Sequence, residues 1–252
     1  MKVYRNLAPY YDRFMDHINY EQEAESIYRF LFQINKIKGH LLDIGVGSGG
    51  HLLPLLSMGI KADGLDYSEE MIGVLRKKIG EHHYTPCLYT ADMRSFQTER
   101  HYDVIYCMGE TIHHLESIED VMAFLKCCRN ALKDSGYVIF SWQEAEYFDE
   151  LADCGDFYET HGEDYLLWNC QYTADSPMAM IHYTAFVSSD KPEEYQRIRE
   201  SHRLAVFQRE DIAKAITETG FILRDDLEDI TFGELLEDTP EKHITVLEKI
   251  QS

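Results

Sequence analysis

The sequence predicts an α/β protein built on a seven-stranded, doubly wound sheet, with an antiparallel β insertion after the fifth strand. Three observations carry this. Short apolar runs ending in acids alternate with helical stretches between residues 40 and 142. The first run opens into a glycine turn, Gly45-Val46-Gly47-Ser48-Gly49-Gly50, with a helix behind it. Beyond Trp142 the chain turns aromatic-rich and alternating, as antiparallel strands require.

The elements follow in order. Leu41 to Ile44 form the first strand. A helix is expected from Ser48 to about Met58, burying Leu52, Leu53, Leu55 and Leu56. Ile60 to Leu65 form the second strand and end at Asp66. Ser68 caps the next helix, whose apolar face is Met71, Ile72 and Leu75. A third strand ends within Tyr89–Arg94 at the acid Asp92. Tyr102 to Met108 form the fourth, followed by Gly109 to Leu115. Val121, Phe124, Leu125, Cys128 and Leu132 mark a helix that Lys133–Gly136 ends, and Tyr137 to Trp142 form the fifth strand. Tyr165–Tyr172 and Met178–Val187 read as a hairpin joined by Thr173–Pro177, and Arg199–Phe207 adds a third strand to it. Glu210 to Thr219 form a helix closed by Gly220. Phe221–Leu227 and His243–Ile250 supply the last two strands of the main sheet.

A strand–glycine turn–helix unit lets a ligand approach bare backbone, since no Cβ stands in the way. The glycines fit two patterns. Gly45, Gly47 and Gly50 satisfy a dinucleotide fingerprint, and Gly45, Gly47 and Gly49 a G-x-G-x-G turn. Asp43 tips the balance. A carboxylate at the strand end repels a pyrophosphate and attracts a ligand bearing an ammonium. S-adenosylmethionine has an ammonium, a sulfonium beside it, and no phosphate. Asp66, at the second strand tip, is placed to accept both hydroxyls of a ribose. Asp92 can bond an adenine amino group.

In this order and spacing, the run from about His40 to Trp142 resembles the class I S-adenosylmethionine-dependent methyltransferases. The resemblance implies a Rossmann-like core and S-adenosyl-L-methionine as cofactor. It implies cofactor contacts from Asp43, Gly45, Gly47, Asp66, Tyr67, Met71, Asp92, Met93 and Met108. Leu7–Met15, followed by Tyr20 and an amphipathic helix, is similar to the entry segment of small-molecule members. There a Tyr-Asp pair, here Tyr11-Asp12, folds over the methionine end, which adds Tyr11 and Tyr20. Cys107–Leu115 is similar to the same segment of glycine-type N-methyltransferases. Its fourth position is usually Asn and its eighth His; here Glu110 departs and His114 matches, so specificity for an amino acid does not carry over. Four regions result: an N-terminal helical cap (1–39), a cofactor-binding core (40–142), an antiparallel lid insertion (143–207) and a C-terminal core helix and strands (208–252).

Composition bounds the function. A chain of 252 residues, 44% hydrophobic, can bury a full core. It has no apolar run long enough to span a membrane, and Met1–Asn6 opens no signal peptide, so a cytoplasmic protein is expected. The six cysteines show no C-x-x-C spacing and read as free thiols. A net charge of −21 opposes nucleic acid, whose binding requires phosphate neutralisation. The acidity serves solubility or, more sharply, attracts cationic substrates. The expected partner is a small-molecule methyl acceptor, with no nucleic acid and no membrane, for a monomer or homodimer.

Other residues carry two readings each. His82-His83 and His113-His114 lack a completing ligand set, so no metal is expected. His114 is an active-site wall residue or a loop histidine. Glu110 takes a substrate proton, orients a cationic amine, or is a solvated acid. Both are the catalytic candidates. Arg199, His202 and Arg203 hold a carboxylate or form an exposed strand edge. Trp168 and Tyr183 pack over an apolar substrate or within the insertion, which is itself a lid or a packing and dimerising sheet. Displacement at a sulfonium needs alignment more than acid–base help, and a neutral amine needs no strong base, so the reading leans to N-methylation over O-methylation. A nicotinamide oxidoreductase shares Gly45, Gly47, Gly50 and Asp66 but leaves Asp43, Asp92 and Tyr11-Asp12 unexplained. A non-catalytic cofactor-binding protein is the third reading.

Overall fold

Strands buried on both sides must be sandwiched between helices. The computed structural model, which describes residues 3–189, 191, 193–227 and 242–250, builds that sandwich. A short turn, Ala8–Tyr10, leads into α1 (Tyr11–Phe14) and α2 (Tyr20–Gln33). The core runs β1 (His40–Ile44), α3 (Leu52–Ser57), β2 (Lys61–Asp66), α4 (Glu69–Gly80), β3 (Leu88–Thr90), β4 (Tyr102–Cys107), α5 (Ile118–Ala131) and β5 (Leu132–Gln143). Next come α6 (Ala145–Cys154), β6 (Asp156–His161), β7 (Asp164–Gln171), β8 (Met178–Ser188) and β9 (Tyr195–Ala205). The chain returns through α7 (Arg209–Glu218), β10 (Phe221–Leu227) and β11 (Lys242–Lys249).

Seven strands form the main sheet in the order β10-β11-β5-β4-β1-β2-β3. β1 to β5 pair in parallel; β11 runs antiparallel to β5 and to β10. Alternate residues feed opposite layers. Ile105 and Cys107 of β4, with Val138, Phe140 and Trp142 of β5, face α5 and α7. Val104, Tyr106 and Ile139 face α2, α3 and α4. The first strand runs parallel to both neighbours, β2 and β4, so its C-terminal end opens a crevice where the winding reverses.

β6 to β9 form a second, wholly antiparallel sheet. Trp168 lies opposite Tyr183, as the hairpin reading requires. Leu7 and Phe14 of the N-terminal segment pack on Leu166, Ala185, Val187 and Ile198 of this sheet. Phe148 of α6 packs on Cys170, Ala179, Ile181 and Leu204. The sheet is thereby clamped between the two.

Several expected boundaries move. The first helix begins at Leu52, not Ser48, because the turn before it holds Gly47 and Gly49 at positive φ, outside the helical basin. Pro54 then sits within its first turn, where a missing N–H costs nothing. The helix before the fifth strand ends at Ala131, and extended structure starts at Leu132 rather than Tyr137. Residues 145–154 were expected to alternate as strand and form α6 instead: Tyr147, Phe148 and Leu151 repeat at helical spacing. The strand expected to begin at Arg199 begins at Tyr195, since pairing with β8 extends it through polar sequence. Of the expected C-terminal core region, residues 228–241, 251 and 252 lie outside the described residues.

A charged cluster locks the sheet edge. His243 of β11 stacks on Trp142, with its ring centroid 4.5 Å away. Its ring stands 2.8 Å from Glu144 and 3.6 Å from Asp226, with Arg209 beside it. Asp226 chiefly, with help from Glu144, raises the imidazole above its ordinary value against burial and Arg209. Protonation therefore favours the fold. The contribution is complete below the unfolded value of 6.5 and is lost as pH rises through the higher folded value. His243→Gln should lower Tm most near pH 5.5 and least near pH 8, as melting curves of parent and variant across that range would show. An equal loss at every pH would mean packing on Trp142 is the whole effect.

Candidate functional site

A cavity of about 640 Å³ opens at the C-terminal ends of β1, β2 and β4 and runs beneath the second sheet. Its wall holds Tyr11, Tyr20, Gly45, Gly47, Asp66, Tyr67, Met71, Asp92, Met93, Met108, Glu110 and His114, twelve of the thirteen residues singled out from the sequence.

The glycine turn shapes one end. A Cβ on Gly45 would stand 2.4 Å from the Thr111 side chain, so glycine there lets the turn close on the loop after β4. A Cβ on Gly47, at φ +54°, would find no heavy atom nearer than 3.9 Å; it would project into space left open at the cavity wall. That is a cradle a bound adenosyl group fits. Asp66 ties the turn to the second strand. Its carboxylate accepts the Gly47 amide at 2.8 Å and the Ser68 amide at 2.7 Å. Burial raises its pKa, although the Ser68 and Gly47 amides pull it back. Lone pairs remain on both oxygens for two hydroxyls.

Asp43 does not stand where direct contact with a ligand requires. It is the one residue of the thirteen absent from the cavity wall. Strand alternation turns it toward Tyr106, its partner on β4, whose hydroxyl donates to it at 2.9 Å. Burial pushes the Asp43 carboxyl up to about 7, against the His51 charge and the Tyr106 hydrogen bond.

Asp92 lies on the wall already engaged. Arg94 donates to both its oxygens, from Nε at 3.0 Å and Nη2 at 2.7 Å, and reaches Asp120 at 3.1 Å. Those hydrogen bonds hold Asp92 below the usual carboxylate range. Free lone pairs on it can still accept an amino group.

The N-terminal segment closes the opposite side. Asp12 accepts the Ser48 hydroxyl and pairs with Lys78, fastening the segment to the glycine turn. Tyr11 and Tyr20 are hydrogen-bonded to each other, and burial raises both phenols, Tyr20 to about 12. Tyr20 meets His51 edge-on at 5.1 Å, and His51 bonds Glu23. Further along, Glu200 of β9 accepts the Asn6 and Leu7 amides and bonds His202 at 3.1 Å. Burial works against this carboxylate, and those hydrogen bonds outweigh it, leaving its pKa below the usual range.

Past β4 the two adjacent histidines part company. His113 is fully buried between β5 and β9: its ring accepts the Gln143 amide at 3.0 Å, and its Nδ1 stands 2.6 Å from the Ala205 carbonyl. It stacks on Phe207 and holds the loop in place. His114 faces the cavity, edge-on to Tyr4 and His202. Burial, with His202 and His113 nearby, lowers His114 to about 3. It is a neutral ring at physiological pH and a weak base. Glu110 also lines the cavity, and the Tyr147 hydroxyl donates to it at 2.5 Å. Trp168 and Tyr183 of the second sheet complete that end.

Sequence reasoning missed Tyr4, His51 and Tyr147, all on the wall. Tyr147 and Leu151, four apart and both on the wall, carried a helical signal within the aromatic stretch. His202 is buried against Glu200 and not free to hold a substrate carboxylate, and Arg199 and Arg203 are exposed on the other face of β9. Among the described residues, no group of three or more His, Cys, Asp or Glu could hold a metal.

The comparisons with known proteins agree with this geometry. Residues 41–136 match the methyltransferase domain family. The chain is 24% identical to the dTDP-3-amino-3,6-dideoxy-alpha-D-glucopyranose N,N-dimethyltransferase of Streptomyces fradiae, over 80% of this chain and 77% of that protein. The fold is shared with an S-adenosylmethionine-dependent methyltransferase from Clostridium acetobutylicum, at TM-score 0.82 and 21% identity, covering 99% of this chain and 100% of that one. It is shared equally with the sugar N-methyltransferase KedS8 from Streptoalloteichus, at TM-score 0.82 and 18% identity, covering 100% and 96%. The glycine turn, the acid at the second strand tip and the matched domain lead to one conclusion: residues 41–136 form a methyltransferase domain, on the fold shared with S-adenosylmethionine-dependent methyltransferases.

Proposed function

We propose that the protein N-methylates an amine carried by a small, sugar-like molecule. The observation that carries this reading is Glu110. Its carboxylate lies on the cavity wall, held by Tyr147, with Tyr4 and Tyr183 close enough to feel its charge. A carboxylate ringed by aromatic faces suits an ammonium, through charge and through the negative ring faces. Relatives named for N-methylation of amino sugars and of glycine or sarcosine support the same acceptor chemistry. A net charge of −21 favours amines over nucleic acid.

The roles follow from position. S-adenosylmethionine, when bound, supplies an electrophilic methyl on a sulfonium. Gly47 leaves room for it; Asp66 would hold the ribose hydroxyls, and Asp92 with Met93 the adenine. Tyr11 and Tyr20 cover the methionine end and exclude water. Glu110 draws the acceptor in as an ammonium and takes one proton onto its carboxylate. Loss of that proton would free the nitrogen lone pair for the methyl group that S-adenosylmethionine would supply. His114, a weak base, serves as a neutral wall that limits where the nitrogen sits, and Glu110 is the carboxylate beside it on the wall. Residues 143–207 supply the acceptor wall.

The test is transfer of labelled methyl over matched amines and alcohols. Amines should accept and their hydroxyl counterparts should not; transfer to hydroxyls alone would establish O-methylation instead. Glu110→Gln should cut turnover by roughly 10²–10⁴-fold, the usual worth of a general base. S-adenosylhomocysteine affinity should stay within about twofold. His114→Ala should cost less than Glu110→Gln in the same assay, and the reverse ranking would make His114 the base. Asp66→Ala should weaken S-adenosylhomocysteine binding by about 1.5–3 kcal/mol, measured by calorimetry. Asp43 makes cofactor binding pH-linked. A cation arriving beside the turn lowers its value from about 7, so protons should be released near pH 7 and affinity should rise with pH across that point. Calorimetry in buffers of different ionisation enthalpy should show the release in the parent and its loss in Asp43→Asn.

A further inference from the structure

Tyr4 is held in a conformation that a side chain resists. Its backbone sits at φ +54°, in the left-handed region that glycine fills without strain. The residues after it keep it there. Arg5 pairs with Glu70 of α4 at 3.5 Å, and Glu200 of β9 accepts the Asn6 and Leu7 amides. Apolar anchoring of the segment is done by Leu7 and Phe14, so the fold does not call on Tyr4 for it. Strain that surrounding contacts over-determine gathers at functional sites.

The Tyr4 ring lines the cavity where three parts of the site meet. Tyr11 stands edge-on to it at 5.5 Å and His114 at 6.0 Å. His202, 4.4 Å away and bonded to Glu200, backs the ring. The charges of Glu110 and of Asp66 both reach the phenol. Among the described residues the Tyr4 hydroxyl has no hydrogen-bond partner. The hydroxyls of Tyr102, Tyr106 and Tyr147 each bond a carboxylate. Burial first, then Tyr183, Glu110, Asp66 and Glu200, raises the phenol well above its ordinary value, so it stays a neutral hydroxyl.

A sulfonium joins three groups, here the ribose carbon, the methionine chain and the methyl. Asp66, Tyr11 and the Glu110–His114 wall mark those three directions, and Tyr4 is in reach of all of them. We propose that Tyr4 is a catalytic residue whose hydroxyl contacts the cofactor at its sulfonium and methyl. This takes the cofactor roles given above and holds whether the acceptor is an amine or a hydroxyl. The phenol oxygen has lone pairs for the polarised C–H groups of a sulfonium methyl. Its fixed place would contribute alignment, which a direct displacement demands most.

The test is calorimetric binding to the full chain, with two probes that differ at one place. S-adenosylhomocysteine is a thioether with nothing where the methyl would be. Sinefungin carries an ammonium there, able to donate to the phenol oxygen. Tyr4→Phe keeps the ring and removes an oxygen that has no protein partner, so the fold should survive, and an unchanged Tm checks this. The variant should bind sinefungin about 10- to 100-fold more weakly, as loss of a hydrogen bond to a charged donor implies. Its S-adenosylhomocysteine Kd should stay within about twofold. Equal weakening of both probes would make Tyr4 part of the grip on adenosine or methionine and overturn the assignment. Unchanged affinity for both would overturn it too. Labelled methyl transfer to hydroxyls alone would sink the N-methylation reading and leave this binding result standing.

Discussion

The Asp66 carboxylate is the point from which the site is hung. By accepting the Gly47 and Ser68 amides it joins the glycine turn to the start of α4, two backbone segments with no ladder bonds of their own at that place. The arrangement is self-consistent. The turn needs glycine to leave its amides exposed, and exposed amides in a buried place need an acceptor. One acid at the end of β2 meets that need and still faces the cavity. Tertiary packing then builds outward: α4 lays Met71 against the cavity wall, and Lys78 from its last turn reaches Asp12 and the Ser48 carbonyl.

Around that point the molecule separates work between two sheets. The parallel sheet is closed on both faces by helices and provides a rigid floor. The antiparallel sheet touches the core through short bridges: the N-terminal segment, α6, and the His113 ring between Gln143 and Ala205. The floor carries the glycine turn, Asp66 and Asp92. The second sheet and its bridges bring Tyr4, Tyr147, Trp168 and Tyr183 to the cavity wall.

Much of the floor was legible in the sequence because it repeats simple signals. Apolar runs of strand length, an acid at each tip, and a capping Ser68 place β1, β2, α4 and the turn within a residue or two. Two things were not legible there. Which way Asp43 points depends on strand parity relative to Tyr106, and an acid near a turn reads the same on either face. His113 and His114 are neighbours in sequence, yet one is core and the other wall, because a tight turn swings adjacent side chains far apart. In the second sheet the aromatic content hid the helical period of Tyr147 and Leu151. Tyr4 had no signal at all; it reaches the site only because Leu7 and Phe14 anchor the segment behind it. Long-range packing, rather than local propensity, decides such positions.

Glu200 has a consequence for how the enzyme opens. Its carboxylate, 7% exposed, answers to three groups at once: the Asn6 and Leu7 amides and the His202 ring. Withdrawing the segment would leave a desolvated anion facing two missing donors, which costs far more than loosening a surface contact. Small displacements are therefore resisted, and complete detachment that floods the carboxylate with water is the next comfortable state. A segment held this way behaves as a latch with two positions, not as a spring. Entry of the methyl acceptor and departure of its product would then share a single discrete event.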